Sequence, residues 1–497
     1  MTKFNKKELG DYQTPLSFAE MICQYLKNDL NISPDTIIEP TCGCGNFLKS
    51  ASETFTAGKM YGIEIDPEKL KQIDKNIPHL KLFNEDIFTF EFDKIKHGSS
   101  YLIIGNPPWV TNTELSKINS SNLPEKSNFK NESNIDALMG NSNFDISESI
   151  TLKIIEEFKD IQTTIAFLCK TSVSRNVFRE MKRRNITYSF IRQLNFNSEK
   201  IFKIDADACL LVLQFGKNTL KNRKCEVCDL FNPDEVLYTF GYKSDKFYSN
   251  FNDIPDIDGE CAVEWRQGVK HDCSNVMELT LKGSKLFNKN GAEVLIEDDL
   301  VYPLLKSSDL KKPIITKSAR RIIIPQKKTK QKTDYIKTQA PKTWEYLNRN
   351  KHYFDKRKST IYENAPDFSI FGIGDYSFRK YKVAISGFYK NPKFCLVHAE
   401  KAMMLDDTCY FLSFDDYDSA YITMLILNTQ LVKSFLKNIV FLDSKRPYSK
   451  KVLKRIDLGK CLKLLSFDKL KECENELELA GYITPEKFIK FNNIYKY

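Results

Sequence analysis

A run of apolar and small residues, Tyr101-Leu102-Ile103-Ile104-Gly105, leads directly into Asn106-Pro107-Pro108-Trp109. The run has the length and the side chains of a buried β-strand. Two successive prolines end it, because each fixes φ and removes a backbone donor. The carbonyl groups of Asn106 and Pro107 are then free to point at a ligand. An asparagine side-chain oxygen, a proline carbonyl and an aromatic face together suit a planar exocyclic amine. The two oxygens accept its two N–H bonds, and the indole of Trp109 stacks on the ring that carries it.

The segment upstream reads Ile37-Ile38-Glu39-Pro40-Thr41-Cys42-Gly43-Cys44-Gly45-Asn46-Phe47-Leu48: a strand, a glycine-containing loop and a helix start. Gly43 and Gly45 permit positive φ and close approach of backbone to a ligand. Glu39 stands at the carboxyl end of the strand, where open α/β sheets place their ligands. The next strand pattern, Met60-Tyr61-Gly62-Ile63-Glu64-Ile65-Asp66, ends in an acid about twenty residues on, and a carboxylate there can accept both hydroxyls of a ribose. Asp86 follows a third run, Leu80 to Glu85, and suits the amine of an adenine, with Ile87 packed on the ring. Each acid alone is an ordinary loop residue. Acids at successive strand ends, just before Asn-Pro-Pro-Trp, point to a nucleoside-bearing cofactor beside an amine receptor.

In this motif order the chain resembles the gamma-class, TaqI-like N6-adenine DNA methyltransferases of restriction–modification systems. Gly10-Asp11-Tyr12-Gln13-Thr14-Pro15 is similar to the amino-terminal cofactor motif of that family. Glu39 to Phe47 is similar to its S-adenosylmethionine loop, Glu64 and Asp86 to its ribose- and adenine-binding acids, and Asn106 to Trp109 to its catalytic tetrapeptide. The resemblance implies S-adenosyl-L-methionine as cofactor, held by Thr14, Pro15, Glu39, Thr41, Gly43, Gly45, Phe47, Glu64, Asp86, Ile87 and Asn106. It implies Asn106, Pro107 and Trp109 as catalytic residues. Phe202, in Ile201-Phe202-Lys203-Ile204-Asp205-Ala206-Asp207-Ala208, is the expected partner for a base flipped out of duplex DNA. The motifs cover residues 9–216.

Composition sets the outer bounds. A chain of 497 residues holds two or three domains, and 41% hydrophobic content is enough for a sizeable core. No stretch of eighteen apolar residues is present, so no membrane span is expected. The basic start, Met1 to Lys7, has no apolar signal core behind it, so the expected location is the cytoplasm. Thirteen scattered cysteines, an odd number, fit free thiols in a reducing compartment. Cys225 and Cys228 form one Cys-x-x-Cys without a second pair, so no metal site is expected.

Charge is unevenly spread. Residues 301–365 carry 17 Lys and Arg against 5 Asp and Glu, a difference of +12, whereas the whole chain is +10. Lys317, Arg320 and Arg321 lie in this segment, interleaved further on with Tyr335, Trp344 and Tyr346. A second basic run contains Lys445 and Arg446. These residues are the candidate phosphate contacts.

The expected architecture is α/β. A doubly wound, Rossmann-like methyltransferase domain spans residues 1–216, with antiparallel closing strands near 187–194 and 208–215. A bridging segment follows at 217–260, and an α+β target-recognition domain covers 261–497, opening near Trp265. An amphipathic helix is expected over 15–30 and one or two helices over 466–493. Residues 110–147, rich in Asn and Ser, read as a mobile loop. The expected partner is double-stranded DNA, bound by a monomer. A separate cognate restriction endonuclease stays open as a companion, since the first motif begins near residue 10 and leaves no room for an amino-terminal nuclease. RNA adenine methylation stays open, because basic charge does not separate RNA from DNA. Protein glutamine methylation uses a similar amide pocket but does not need the basic downstream half.

Overall fold

The computed structural model describes residues 12–110, 145–216 and 223–495. The expected loop at 110–147 lies outside the described residues over 111–144, as do Gly10 and Asp11. The chain divides into two compact units, residues 1–251 and 252–497.

The first unit is built on one ten-stranded sheet. Its strands are β1 (Thr36–Glu39), β2 (Lys59–Ile63), β3 (Leu80–Phe83), β4 (Ser100–Gly105), β5 (Gln162–Lys170), β6 (Phe190–Asn197), β7 (Asp207–Phe215), β8 (Lys224–Asp229), β9 (Asn232–Lys243) and β10 (Lys246–Tyr248). The spatial order is β3-β2-β1-β4-β5-β7-β6-β8-β9-β10. From β3 to β5 every pairing is parallel. β7 then enters antiparallel to both β5 and β6. Order reverses between β1 and β4, so a crevice opens at their carboxyl ends, where a doubly wound sheet binds its ligands. The central strands are buried on both faces: β1 is covered throughout, and β5 from Thr163 to Cys169. That explains why they read as continuous apolar runs rather than alternating ones.

Helix α1 (Leu16–Asn28) follows the expected periodicity and buries Phe18, Ala19, Ile22, Cys23 and Leu26 against one side of the sheet. Helix α2 (Asn46–Thr54) starts at Gly45, whose φ of 78° places the turn in the left-handed region. Short α3 (Pro67–Leu70) follows β2, with the Asp66 side chain accepting the Glu68 N–H at its start. Helix α4 (Ile146–Phe158) leads into β5, α5 (Thr171–Arg183) leaves it, and α6 (Ser198–Phe202) connects β6 to β7. The antiparallel close of the sheet lies a few residues later than expected at β6, because α5 ends only at Arg183.

The bridging segment is a point of correction. Residues 224–248 are not a separate linker but three further strands of the first sheet, with β8 paired parallel to β6. Their short β-like patterning was visible, but a pairing to a strand so far back in the chain was not.

The second unit has a six-stranded and a five-stranded sheet and is α+β. Strand Arg320–Ile323 sits inside the six-stranded sheet, between Glu278–Lys282 and Val301–Leu305. Two helices, Phe467–Glu476 and Pro485–Tyr495, close the chain. Trp265 is fully buried. All thirteen cysteines are free thiols. Among the described residues no helix is long and apolar enough to cross a membrane.

Candidate active site

The strand ends of β1, β2 and β4 bring the candidate residues together. Glu39, the last residue of β1, is buried and its Oε2 accepts the Leu48 N–H at 3.2 Å. Burial pushes its carboxyl well above the usual range, and the charge of Glu64 adds to this, against the Leu48 hydrogen bond. Glu64, just past β2, accepts the Gly43 N–H on Oε2 and the Asp66 N–H on Oε1, both at 2.9 Å. Each oxygen keeps a second lone pair for a ligand hydroxyl. The Glu64–Gly43 bond also ties β2 to the loop after β1.

That loop is tightly built. Gly43 has φ 52°, and a Cβ there would stand 2.9 Å from Gln13 Nε2. Gln13 lies across the loop and its Oε1 accepts the Cys44 N–H at 3.4 Å. The Thr14 carbonyl accepts from Asn46 Nδ2 at 2.7 Å, so the segment before α1 is anchored to the start of α2. Thr14 is buried and Pro15 is exposed. Thr41 Oγ1 is buried without a hydrogen-bond partner among the described residues. Asp86 accepts the Phe88 N–H on Oδ1 at 2.9 Å, which leaves Oδ2 to a ligand, and Ile87 beside it is buried. Phe47, the last of the loop candidates, points into the core. It is 1% exposed and belongs to the core under α1, because the first turn of α2 directs it inward.

Asn106 sits at the end of β4 with its two amide ends in opposite states. Nδ2 donates to the Tyr12 carbonyl at 2.8 Å. Oδ1 is buried and has no hydrogen-bond partner among the described residues. An unpaired buried acceptor costs about 1–3 kcal/mol, so this oxygen is a candidate for pairing with a ligand. Pro107 is buried beside it.

The two aromatic candidates are both packed into the core. Trp109 is 5% exposed and Phe202 9%, so neither is an open stacking platform. Their rings meet edge to face, 5.5 Å apart at 71°. Phe18 and Phe196 back Phe202, and Tyr12 reaches Trp109 at 6.2 Å. Packing demand explains their burial: a large apolar ring beside the ends of central strands is covered by its neighbours, and spacing alone cannot show that. Tyr12 and Gln13 lay within a quoted motif, yet only the fold places them over the other loops.

The basic candidates in the second unit are varied. Lys317 and Lys445 are exposed. Arg320 pairs with Asp309 at 3.1 Å, and Arg321 turns back onto the Ser318 and Arg320 carbonyls. Arg446 donates to the Asp407 carbonyl at 3.2 Å.

A parallel sheet with acids and a glycine loop at its switch point, and a carboxamide acceptor at the next strand end, defines an S-adenosylmethionine-dependent methyltransferase. The residues fit that cofactor, since two acids with spare lone pairs, an unpartnered threonine hydroxyl and a loop that excludes a Cβ at Gly43 surround one crevice. The chain belongs to the N-6 DNA Methylase family, which matches residues 1–239. It is 38% identical over 474 residues to the type II methyltransferase M.NspV of Nostoc sp., covering 93% of this chain and 98% of that protein. The modification methylase CviBIII of Paramecium bursaria Chlorella virus NC1A is 26% identical over 253 residues, 50% of this chain and 62% of that protein. Among solved structures, the type IIL restriction–modification enzyme MmeI in complex with DNA aligns over 100% of this chain and 79% of its own, with TM-score 0.50 and 12% identity.

Proposed function

We propose that this chain is the modification enzyme of a restriction–modification system, of the gamma class, and methylates adenine N6 at a specific site in duplex DNA. The observation that carries the proposal is the buried, unpartnered Oδ1 of Asn106 beside a proline carbonyl. S-adenosylmethionine, when bound, would supply a methyl group activated on a sulfonium: the N–C bond would form as the S–C bond breaks, and the methylated amine would then lose one N–H proton to solvent. The lone pair of an aromatic amine is delocalised and weakly nucleophilic. Asn106 Oδ1 and the Pro107 carbonyl accept its N–H bonds, localise the lone pair and stabilise the positive charge that develops on nitrogen. Tyr12 O orients the Asn106 amide by taking Nδ2, so that Oδ1 is the end presented. Glu64, Asp86, Glu39 and the Thr41–Gly45 loop would hold the cofactor, and alignment of the two reactants would supply much of the remaining rate. The target adenine leaves the duplex to reach this pocket. The second unit reads the site, with Lys317, Arg320, Arg321, Lys445 and Arg446 as its candidate phosphate contacts. A monomer acting in the cytoplasm beside a separate cognate endonuclease completes the reading.

Base-resolution methylome sequencing of a host expressing the protein tests it. The expected result is N6-methyladenine at one short motif. Unmethylated DNA overturns it, and N6-methyladenosine in RNA instead would support RNA as the substrate.

A further inference from the structure

The last residue of β5, Lys170, holds the far end of the Asn-Pro-Pro-Trp segment. Its Nζ donates to the Trp109 carbonyl at 3.1 Å and to Asp145 Oδ2 at 2.9 Å. Two residues back on the same strand, the Leu168 carbonyl accepts the Trp109 indole N–H at 3.2 Å. Asp145 is buried, and its Oδ1 takes the Ser147 N–H at 3.1 Å and the Ser147 hydroxyl at 2.8 Å, which starts α4. The Val110 carbonyl accepts the Ile146 N–H at 2.9 Å. Trp109 is thus fixed from β5 at both its ring and its carbonyl, independently of its covalent link to β4.

We infer that Lys170, paired with Asp145, is a positioning residue for the target-amine pocket, and this rests on the proposed reading of Asn106 and Pro107 as amine acceptors. Two physical effects follow from the geometry. The ammonium occupies the Trp109 carbonyl and sets the peptide plane that ends the tetrapeptide, which leaves the Asn106 and Pro107 oxygens as the acceptors facing the crevice. Asp145 neutralises the ammonium. An unpaired cation there would oppose the positive charge that grows on the amine in the transition state, the reverse of the stabilisation the pocket provides. A buried carboxylate left without Lys170 would be poorly solvated and would pull the start of α4 out of place.

The test compares wild type, Lys170→Met, Lys170→Arg, Asp145→Asn and the double variant Lys170→Met/Asp145→Asn. Single-turnover methyl transfer to phage DNA free of adenine methylation is measured beside calorimetric S-adenosylmethionine binding. Lys170→Met and Asp145→Asn should each slow transfer by about a hundredfold, the scale of a misplaced reacting group, with cofactor affinity unchanged. Lys170→Arg should recover most of the rate. The double variant should be no slower than the slower single one, because the pair acts as a unit. In ¹⁵N-labelled protein the Trp109 indole resonance should move in Lys170→Met, while those of Trp265 and Trp344 stay in place. Wild-type transfer in Lys170→Met, or additive losses in the double variant, would overturn the inference. So would an unmoved Trp109 resonance, a readout that needs no activity. A wild-type protein that leaves the DNA unmethylated would instead overturn the function reading itself.

Discussion

Asn106 concentrates the chemistry in one amide. Because Nδ2 is spent on Tyr12 O and Oδ1 has no partner among the described residues, Asn106→Ala removes the proposed acceptor for the target amine. Methyl transfer should fall by at least about 10²-fold, the scale of losing one preorganised electrostatic partner. Cofactor affinity measured by calorimetry should stay within about twofold of wild type; normal turnover would refute the role. Glu39 makes a different kind of prediction. Burial, reinforced by Glu64, makes its folded carboxyl hold a proton more tightly than the ordinary value of 4.5. The folded state therefore keeps that proton where the unfolded chain has lost it. The contribution to stability is fully present below 4.5 and is lost as pH rises through the folded value. Glu39→Gln mimics the protonated form, so its melting temperature should fall less than that of wild type between about pH 5 and pH 8. Parallel curves for the two proteins would show that Glu39 is not the group responsible.

At the scale of elements, the loop between β1 and α2 carries the cofactor assignment through its backbone. Gly43 adopts φ 52° and lies under the Gln13 amide. Gly43→Ala puts a Cβ into left-handed backbone, a strain of about 1–2 kcal/mol, and pushes Gln13 off the loop. For a unit of this size the melting temperature should drop roughly 2–4 °C per kcal/mol. S-adenosylmethionine should bind more weakly, because the Gly43 N–H that Glu64 holds would shift with the loop. A stability loss with undiminished cofactor affinity would detach this loop from binding. The acids and glycines of this element were legible because strand, loop and helix start are contiguous. The burial of Phe47 and Trp109 was not legible, because it depends on α1, β5 and α6, which are distant in sequence.

On the whole-molecule scale, charge separates the two units. The excess of +12 within residues 301–365 exceeds the +10 of the entire chain, so the remainder is slightly acidic. Neutralising Arg320, Arg321, Lys327 and Lys328 together should weaken DNA binding across sequences and flatten its salt dependence, because phosphate contacts release counterions. Arg320 and Arg321 already make ion-pair or carbonyl contacts, whereas Lys327 and Lys328 are exposed, so the two lysines should account for more of the change. A salt titration with wild type and quadruple mutant on specific and unrelated duplexes measures this. Identical slopes and affinities would make the basic segment an ordinary solvated surface.

The amino-acid sequence alone determined the alternation of strands and helices from residue 35, the amine-receptor tetrapeptide and the acids and glycines of the crevice. All of these are written in contiguous stretches, where local geometry dictates residue type. It also showed a second, basic half of mixed composition. Only the tertiary structure decided that residues 224–248 extend the first sheet, that Asn106 is oriented by Tyr12, and that Lys170, paired with Asp145, holds the Trp109 carbonyl. Each of these depends on groups 25 to 94 residues apart, brought together by strand order and helix packing. No local periodicity or spacing encodes such a pairing, because its free energy comes from burial and hydrogen bonding that exist only once the sheet has closed around it.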